Sequence, residues 1–247
     1  MTVSVPFAER RNIKMKKTTR IIISLLFYFC ILTLLTFAYA ESDPNLYEYE
    51  LTEKGIRILN YVGDETIVVV PKEIDGYDVV YIGKDAFSNN NNIWCVILPI
   101  TVQVIENYGF YESSLREIVL PPTLKYIGES AFAYTKLTSV YIPNSVHYLG
   151  RAAFYGCYDL RTVIILANIT EIKNYMFFEC MNLKEVYFPE TVYYVSENAF
   201  YYCNTLSTII NFEQIKTIYD NSFQDCYLLN DDIVKHFSSI ERLPCNY

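Results

Sequence analysis

Four cysteines of this chain recur at intervals of 23 residues, and a regular series of thiols could have a chemical role. They are Cys157, Cys180, Cys203 and Cys226. Thiols in a regular series could form disulfides, bind a metal ion or serve as small buried side chains. The sequence has no C-x-x-C pair and no histidine in this series, so it gives little support for a zinc site. Buried free thiols are the favoured interpretation, and disulfides between neighbouring cysteines are the alternative.

Catalytic chemistry has few candidate residues. The chain contains two histidines, His147 and His236, and neither belongs to an H-E-x-x-H, nucleophile-elbow or phosphate-loop motif. Asp231 and Asp232 follow Asn230, an arrangement typical of a capped short helix with acidic residues in its first turn. We therefore expect a protein that is not an enzyme and that uses no cofactor.

A repeated phenylalanine indicates the architecture that positions all these residues. Seven phenylalanines lie 22 or 23 residues apart, and an Ile, Leu or Val precedes each by five residues. A period of this length is the signature of a solenoid. The phenylalanines are Phe87, Phe110, Phe132, Phe154, Phe177, Phe200 and Phe223.

Within one repeat, residues 127–146, the apolar positions Leu137, Val140 and Ile142 predict a short strand with one buried side, closed by Pro143. One strand per repeat, always in the same direction, predicts a single parallel sheet, and the segment from the aliphatic residue to the phenylalanine returns along the other side.

The flanking segments differ from the repeats. Residues 1–40 combine basic residues, an uncharged run and an A-x-A triplet, which predicts a signal peptide, with translation starting at Met1 or Met15. A retained membrane anchor is the alternative. We expect an N-terminal β cap at residues 41–71, about seven repeats of 22–23 residues at 72–229, and a C-terminal cap at 230–247.

Charge excludes one class of partner. Removing residues 1–40 takes away six of the 20 Lys and Arg and one of the 28 Asp and Glu, which leaves 14 against 27 and a net charge of −13. A chain this acidic, with no basic stripe, would repel a polyanion. We therefore expect no nucleic-acid partner.

Several segments match the loose motif I-G-x-x-A-F-x-x-C-x-x-L-x-x-V-x-L-P-x-S-V. They are IGKDAF at 82–87, IGESAFAYTKLTSVYIPNSV at 127–146, AFYGCYDLRTVII at 153–165, MFFECMNLKEVYFPETV at 176–192 and AFYYCNTLSTII at 199–210. The entry segment IVVVPKEIDGYDVVYIG at 67–83 is similar to the lead-in I-P-x-x-I-D-G-x-x-V-x-x-I-G that is common before the first full repeat. The chain thus resembles the BspA-like, or Treponema pallidum-type, leucine-rich repeat family. The resemblance implies a right-handed leucine-rich-repeat superhelix with little regular helix, on proteins that are commonly secreted or at the cell surface, some of them implicated in adhesion. Leu166 and Phe212 depart from the motif's proline, and Met176 departs from its alanine.

If the strands follow this arrangement, one set of side chains faces outward from the sheet. This outward stripe consists of Ile97, Val119, Tyr141, Ile164, Tyr187 and Ile210. A polar rim runs beside it, formed by Cys95, Glu117, Ser139, Thr162, Glu185 and Thr208.

A long apolar stripe with a polar rim is typical of a partner-binding surface, although such residues also simply suit strands. We expect a secreted or surface-displayed module that binds a protein or glycan of a host or neighbouring cell through this face. A passive envelope component that buries the stripe by self-association is the alternative, and membrane contact is expected only if the leader is retained.

Overall fold

The computed structural model of the protein describes residues 40–245, so the predicted signal peptide lies almost entirely outside the described residues. A short 3-10 turn at Pro44–Leu46 and one α-helix, α1 (Asp231–Ser239), accompany eighteen strands in this part of the chain. In order the strands are β1 (Tyr47–Thr52), β2 (Gly55–Tyr61), β3 (Ile67–Val69), β4 (Glu73–Ile74), β5 (Tyr77–Ile82), β6 (Cys95–Ile97), β7 (Val104–Ile105), β8 (Glu117–Val119), β9 (Tyr126–Ile127), β10 (Ser139–Ile142), β11 (Tyr148–Leu149), β12 (Thr162–Ile165), β13 (Glu171–Ile172), β14 (Glu185–Tyr187), β15 (Tyr194–Val195), β16 (Thr208–Ile210), β17 (Thr217–Tyr219) and β18 (Glu241–Leu243).

The predicted solenoid is confirmed, and its turns contribute strands to two sides of the stack. The long-strand ladder consists of the parallel sets β3-β6-β8 and β10-β12-β14-β16, in the strand segments that the sequence predicts. Between the sets, the N–H of Thr138 donates to the carbonyl of Arg116 at 3.3 Å. The repeat period thus maintains register from turn to turn.

A second set of parallel strands, the short-strand ladder, runs along the return segments. It joins β2-β5-β7-β9-β11 in one set and β13-β15-β17-β18 in another. The sequence predicts one sheet, so this second ladder is an addition to the expected fold. Several of its strands have two residues, as in the pairing of Tyr126–Ile127 with Tyr148–Leu149, and a pattern this short shows no periodicity that could announce a strand.

The repeated phenylalanines form one continuous aromatic column through the core. Consecutive rings from Phe87 to Phe223 lie 4.9–5.6 Å apart between centroids, with interplanar angles of 4–21°. Each such pair contributes about 0.5–1.5 kcal/mol beyond the burial of its area. Because every ring packs on rings of two other turns, a turn cannot bury its phenylalanine alone, and stability comes from stacking.

Both ends of the aromatic column are closed by aromatic residues of the caps. At the N-terminal end Tyr61 packs on Phe87 with centroids 5.3 Å apart, and Tyr47 packs on Tyr61 at 5.1 Å. At the C-terminal end Phe237 of α1 stacks on Phe223 at 4.6 Å. The solenoid therefore ends in rings of the caps rather than in open core.

The C-terminal helix forms where the sequence predicts it. The side chain of Asn230 caps α1 by accepting a hydrogen bond from the N–H of Ile233 at 3.0 Å, and Asp231 and Asp232 lie in the first turn. These carboxylates favour the positive end of the helix dipole. Ile233 and Phe237 are buried on its inner side. α1 has nine residues, and no helix among the described residues is long and apolar enough to cross a membrane.

Candidate partner-binding face

The structure aligns the outward stripe from strand to strand. Ile97 pairs in register with Val119 on β8, and Tyr141 pairs with Ile164 on β12. The register continues from Ile164 to Tyr187 and then to Ile210. The residues that alternate with them, such as Val163 and Val186, are fully buried. The predicted alternation of inward and outward side chains therefore holds along this ladder.

The front half of the stripe is not accessible, which corrects the expected extent of the surface. Ile97 is 3% exposed and Val119 is 7% exposed, and Cys95 of the rim is also buried at 3%. Ile97 lies in register between Val69 and Val119.

The N-terminal segment contributes to this closure. The N–H of Ser42 donates to the carbonyl of Val69 at 2.8 Å, and the Ser42 hydroxyl oxygen accepts from the N–H of Val69 at 3.3 Å. These bonds pair the outer edge of β3, which would otherwise be open. Ser42 itself is buried. A contact across 27 residues cannot be read from the alternation of side chains within one strand.

The back half of the stripe remains open to solvent. Tyr141, Ile164, Tyr187 and Ile210 are each partly exposed. Beside them Ser139 and Glu185 are exposed, while Thr162 and Thr208 are half-buried. Tyrosine alternates with isoleucine along this half. Glu117 of the rim is also exposed, although its neighbour on the stripe, Val119, is not.

The open half carries polar groups of both signs. Burial raises the pKa of the Tyr141 hydroxyl, so this group stays protonated and can donate a hydrogen bond near neutral pH. Arg161 and Lys184 precede β12 and β14, and both are exposed beside Thr162 and Glu185. An apolar strip with both charges at its margin is suited to a protein surface rather than to a polyanion.

The cysteine column consists of hydrogen-bonded free thiols in the structure. The thiols of Cys157, Cys180, Cys203 and Cys226 each donate to the carbonyl of a phenylalanine in the preceding turn, at 3.1–3.2 Å. Burial raises the pKa of Cys157 to about 12, and also raises the pKa values of Cys180 and Cys203. Neutral thiols are poor nucleophiles and poor metal ligands.

The two histidines occupy different environments. His147 is exposed, and it lines a shallow polar groove together with Gln103, Lys125 and Asn144. His236 of α1 is hydrogen bonded through Nε2 to the carbonyl of Ile215 at 3.0 Å, which gives it a structural role in the cap. Within residues 40–245, no group of three or more His, Cys, Asp or Glu side chains is arranged to hold a metal ion.

The distribution of tyrosines around the solenoid is not indicated by the strand pattern. Several lie on the third side of each turn, next to the core phenylalanines, where their rings contact one another. Examples are the contact of Tyr111 with Tyr134 at 5.8 Å and that of Tyr155 with Phe178 at 4.8 Å. Aligning the turns on their phenylalanines would have placed Tyr111, Tyr155 and Tyr201 in one column, because each directly follows its phenylalanine.

Comparison with known families and structures agrees with this geometry. The model of the BspA type leucine-rich repeat region matches in six copies, over residues 80–207 and 127–243. No curated protein sequence matches the chain.

Three solved structures show the same fold. A Treponema pallidum leucine-rich repeat protein is 28% identical, with a TM-score of 0.74, and the alignment covers 79% of this chain and 94% of that one. A leucine-rich repeat protein from Bacteroides ovatus is 22% identical, with a TM-score of 0.52, covering 73% of this chain and 55% of that one. The pneumococcal vaccine antigen PcpA is 15% identical, with a TM-score of 0.54, covering 81% of this chain and 71% of that one.

Proposed function

The chain belongs to the BspA-type leucine-rich repeat family, and from this premise we propose that it is a secreted or cell-surface module that binds a protein of a host or neighbouring cell. The binding surface is the back half of the outward stripe. The observation that carries the proposal is the register of Tyr141, Ile164, Tyr187 and Ile210, which present a partly exposed strip across four adjacent strands.

The chemistry of this strip favours a protein partner. Tyrosine supplies rigid contact area with a polar tip, and isoleucine supplies apolar area that gains from leaving water. The rim then offers hydroxyl groups and the carboxylate of Glu185 for hydrogen bonds around the contact. Because the strands are fixed on both sides by the ladder, binding requires little ordering of this surface.

A binding role rather than a catalytic one is proposed on two grounds. Leucine-rich repeat solenoids typically serve as binding modules, and a similar fold occurs in the pneumococcal vaccine antigen PcpA. In addition, the His236 imidazole is engaged in the cap and the buried thiols of the cysteine column are held neutral.

The test is a binding assay with paired tyrosine variants. We expect Tyr141→Ser combined with Tyr187→Ser to abolish binding to host-cell or matrix proteins while leaving the circular dichroism spectrum unchanged. Tyr194→Ser is the matched control, because Tyr194 is an exposed tyrosine at 51% on the short-strand ladder. Equal binding by the double variant and the wild type would reject the proposed surface.

Light scattering at rising protein concentration separates this function from passive self-association. A free binding surface predicts a monomer at all concentrations. A dimer that dissociates in the Tyr141→Ser, Tyr187→Ser variant would instead show that the strip is covered by a second copy of the chain, as expected of a structural envelope component.

A further inference from the structure

A third side of the solenoid carries a column of aromatic rings with one gap. The residue directly after the core phenylalanine is Tyr111, Ala133, Tyr155, Phe178 and Tyr201 in successive turns. Beyond the gap the rings stack closely, with centroids 4.8 Å apart from Tyr155 to Phe178 and 5.1 Å apart from Phe178 to Tyr201. At Ala133 this column lacks a ring, and the ring of Tyr134 lies there instead, in contact with Tyr111 and Tyr155.

A second column has its gap at the same place. The residue two positions before the core phenylalanine is Tyr108, Ser130, Ala152 and Tyr175 in successive turns. All four have a left-handed backbone, with φ between 51° and 61°. The column therefore accepts a tyrosine or a small residue in the same conformation. Two small residues in the middle, flanked by tyrosines, leave space above them.

The space above Ser130 and Ala152 forms one groove of about 330 Å³. Its floor is formed by small side chains, namely Ser130, Ala133 and Ala152. Its walls are five partly exposed tyrosines contributed by four successive turns, and they are Tyr108, Tyr111, Tyr134, Tyr155 and Tyr175.

The walls of the groove are held in place by one another. Tyr111 lies edge-on to Tyr108, with centroids 5.5 Å apart and an interplanar angle of 84°, and to Tyr134 at 5.8 Å and 89°. Tyr134 in turn contacts Tyr155 at 5.2 Å. Gly156 leaves room for the Tyr134 ring, since a Cβ at residue 156 would lie 2.6 Å from it. A ligand would therefore meet rings that are already fixed, which lowers the entropic cost of binding.

Polar groups stand at the margin of the groove. The guanidinium Nε of Arg151 lies 3.5 Å from a carboxylate oxygen of Glu129, and the guanidinium lies over the ring of Tyr175 at 5.7 Å. Burial, together with hydrogen bonding to Glu112, raises the pKa of Tyr111 to about 12. The groove thus combines ring faces, protonated hydroxyls and a neutral pair of opposite charges.

We propose that this groove binds a neutral oligosaccharide, with one sugar ring over the small floor between the tyrosines and its hydroxyls hydrogen bonded to Glu129 and Arg151. A pyranose has apolar C–H faces and a periphery of hydroxyl groups. The C–H faces match tyrosine rings, and the hydroxyl groups match a carboxylate acceptor beside a guanidinium donor. The site is separate from the proposed protein-binding strip and shares no residue with it.

Other ligands fit the groove less well. A quaternary ammonium group also favours aromatic walls, but the carboxylate of Glu129 that would attract it is already paired with Arg151. A phosphate or sulfate group would meet an arginine whose charge is balanced by Glu129. The hydroxyl groups of an uncharged sugar can donate a hydrogen bond to Glu129 and accept one from Arg151, and neither charge repels the sugar.

The test is calorimetric titration of the whole protein with three hexasaccharides. These are made of β-linked glucose, β-linked N-acetylglucosamine and α-linked mannose. We expect at least one to bind. Ala152→Tyr fills the floor with the residue that the same column has at Tyr108 and Tyr175, and should weaken binding about tenfold or more. Tyr155→Ala removes a wall and should weaken binding to a similar extent. This second variant keeps the proposal testable if Ala152→Tyr fails to fold.

The matched control is Tyr201→Ala, which removes a tyrosine of the same column outside the groove and should leave the affinity unchanged. Tyr141→Ser combined with Tyr187→Ser should also leave it unchanged, so failure of this site and failure of the protein-binding strip are distinguishable. The proposal is overturned if none of the three hexasaccharides binds, or if binding survives both groove variants. Binding of tetramethylammonium that is lost in both groove variants, in place of sugar binding, would also overturn it.

Discussion

The front and back halves of the long-strand ladder differ although they share one fold. Ile97 in front and Ile164 at the back are the same residue type at equivalent positions, yet Ile97 is 3% exposed and Ile164 is partly open to solvent. Their neighbours in register also differ. Ile97 lies between two valines, whereas Ile164 lies between Tyr141 and Tyr187. The same residue type at equivalent positions of one solenoid face can thus differ in exposure.

The core next to the phenylalanines also changes from front to back. In the two front turns Ser113 and Thr135 donate their hydroxyls to the phenylalanine carbonyl of their own turn, at 2.8 and 2.9 Å. The cysteines of the later turns bond to the preceding turn instead. The front turns have five residues from phenylalanine to the next buried leucine, as from Phe132 to Leu137, and the cysteine turns have six. The side chain in this column therefore changes together with the turn length.

The largest expected effect concerns the phenylalanine column, which runs through both halves. Phe110→Ala in front and Phe177→Ala at the back should each lower the free energy of unfolding by about 3–5 kcal/mol. Both rings are fully buried and stacked on rings of the turns before and after them. Denaturant titration measures the change. A large cost at one position and a small cost at the other would contradict a single continuous column.

The next largest expected effect is a loss of folding stability at alkaline pH that arises in the cysteine turns. The pKa of Cys157 is about 12 in the folded protein against 9.0 ordinarily, because burial disfavours the thiolate. Above about pH 9 the unfolded chain loses this proton and the folded chain keeps it, so stability falls as pH rises, by about 2–3 kcal/mol for this thiol at pH 11.

Cys157→Ser should remove that part of the decline, and it retains a hydrogen-bond donor like Ser113. Denaturant midpoints from about pH 8 to about pH 11 follow the change. Ser113→Ala, at the same column position two turns earlier, is the control and should leave the pH slope as it is in the wild type. An unchanged slope in Cys157→Ser would show that this thiol is not held neutral.

A matched pair of stripe variants measures how the difference in exposure between Ile97 and Ile164 affects stability. Ile97→Ser should destabilise the protein by about 1–2 kcal/mol more than Ile164→Ser, because the front position loses a fully buried apolar side chain and places a hydroxyl out of water. Thermal or denaturant unfolding of the two variants measures this. Equal costs would mean that the two isoleucines have similar surroundings.

The smallest expected effect concerns the front hydroxyls. Ser113→Ala should cost about 0.5–1.5 kcal/mol. The cost is limited because the carbonyl of Phe110 keeps a second bond, from the backbone N–H of Ser113 at 3.2 Å. Denaturant unfolding measures it. A loss well above this range would show that the hydroxyl is the main partner of that carbonyl.

Much of the fold could be predicted because it is periodic. The spacing of Phe132 and Phe154 indicates stacked turns, and the alternation of Val140 and Ile142 indicates the strand that each turn contributes. The side chain of Asn230 and the acidic residues after it indicate the start of the C-terminal helix. Each of these signals is local or repeats at a fixed interval, so one sequence is enough to detect it.

The rest depends on contacts between turns. The alternation within β6 predicts an outward side chain at Ile97 and does not indicate its burial, and the return of Ser42 to the edge of β3 joins residues 27 positions apart. The groove requires two small residues, Ser130 and Ala152, at equivalent positions of successive turns. Counting tyrosines does not reveal where rings are missing. Such features become visible when the turns are aligned in space.

Hydroxyl-radical footprinting of Ile97 and Ile164 compares the exposure of the two halves of the face in the unmodified protein. The two residues have the same intrinsic reactivity, so their relative oxidation reports exposure alone. The account predicts that Ile164 is oxidised several-fold faster than Ile97 in the folded protein, and that the rates become equal after denaturation. Equal rates in the folded protein, or faster oxidation of Ile97, would contradict a solenoid face that is closed in front and open at the back.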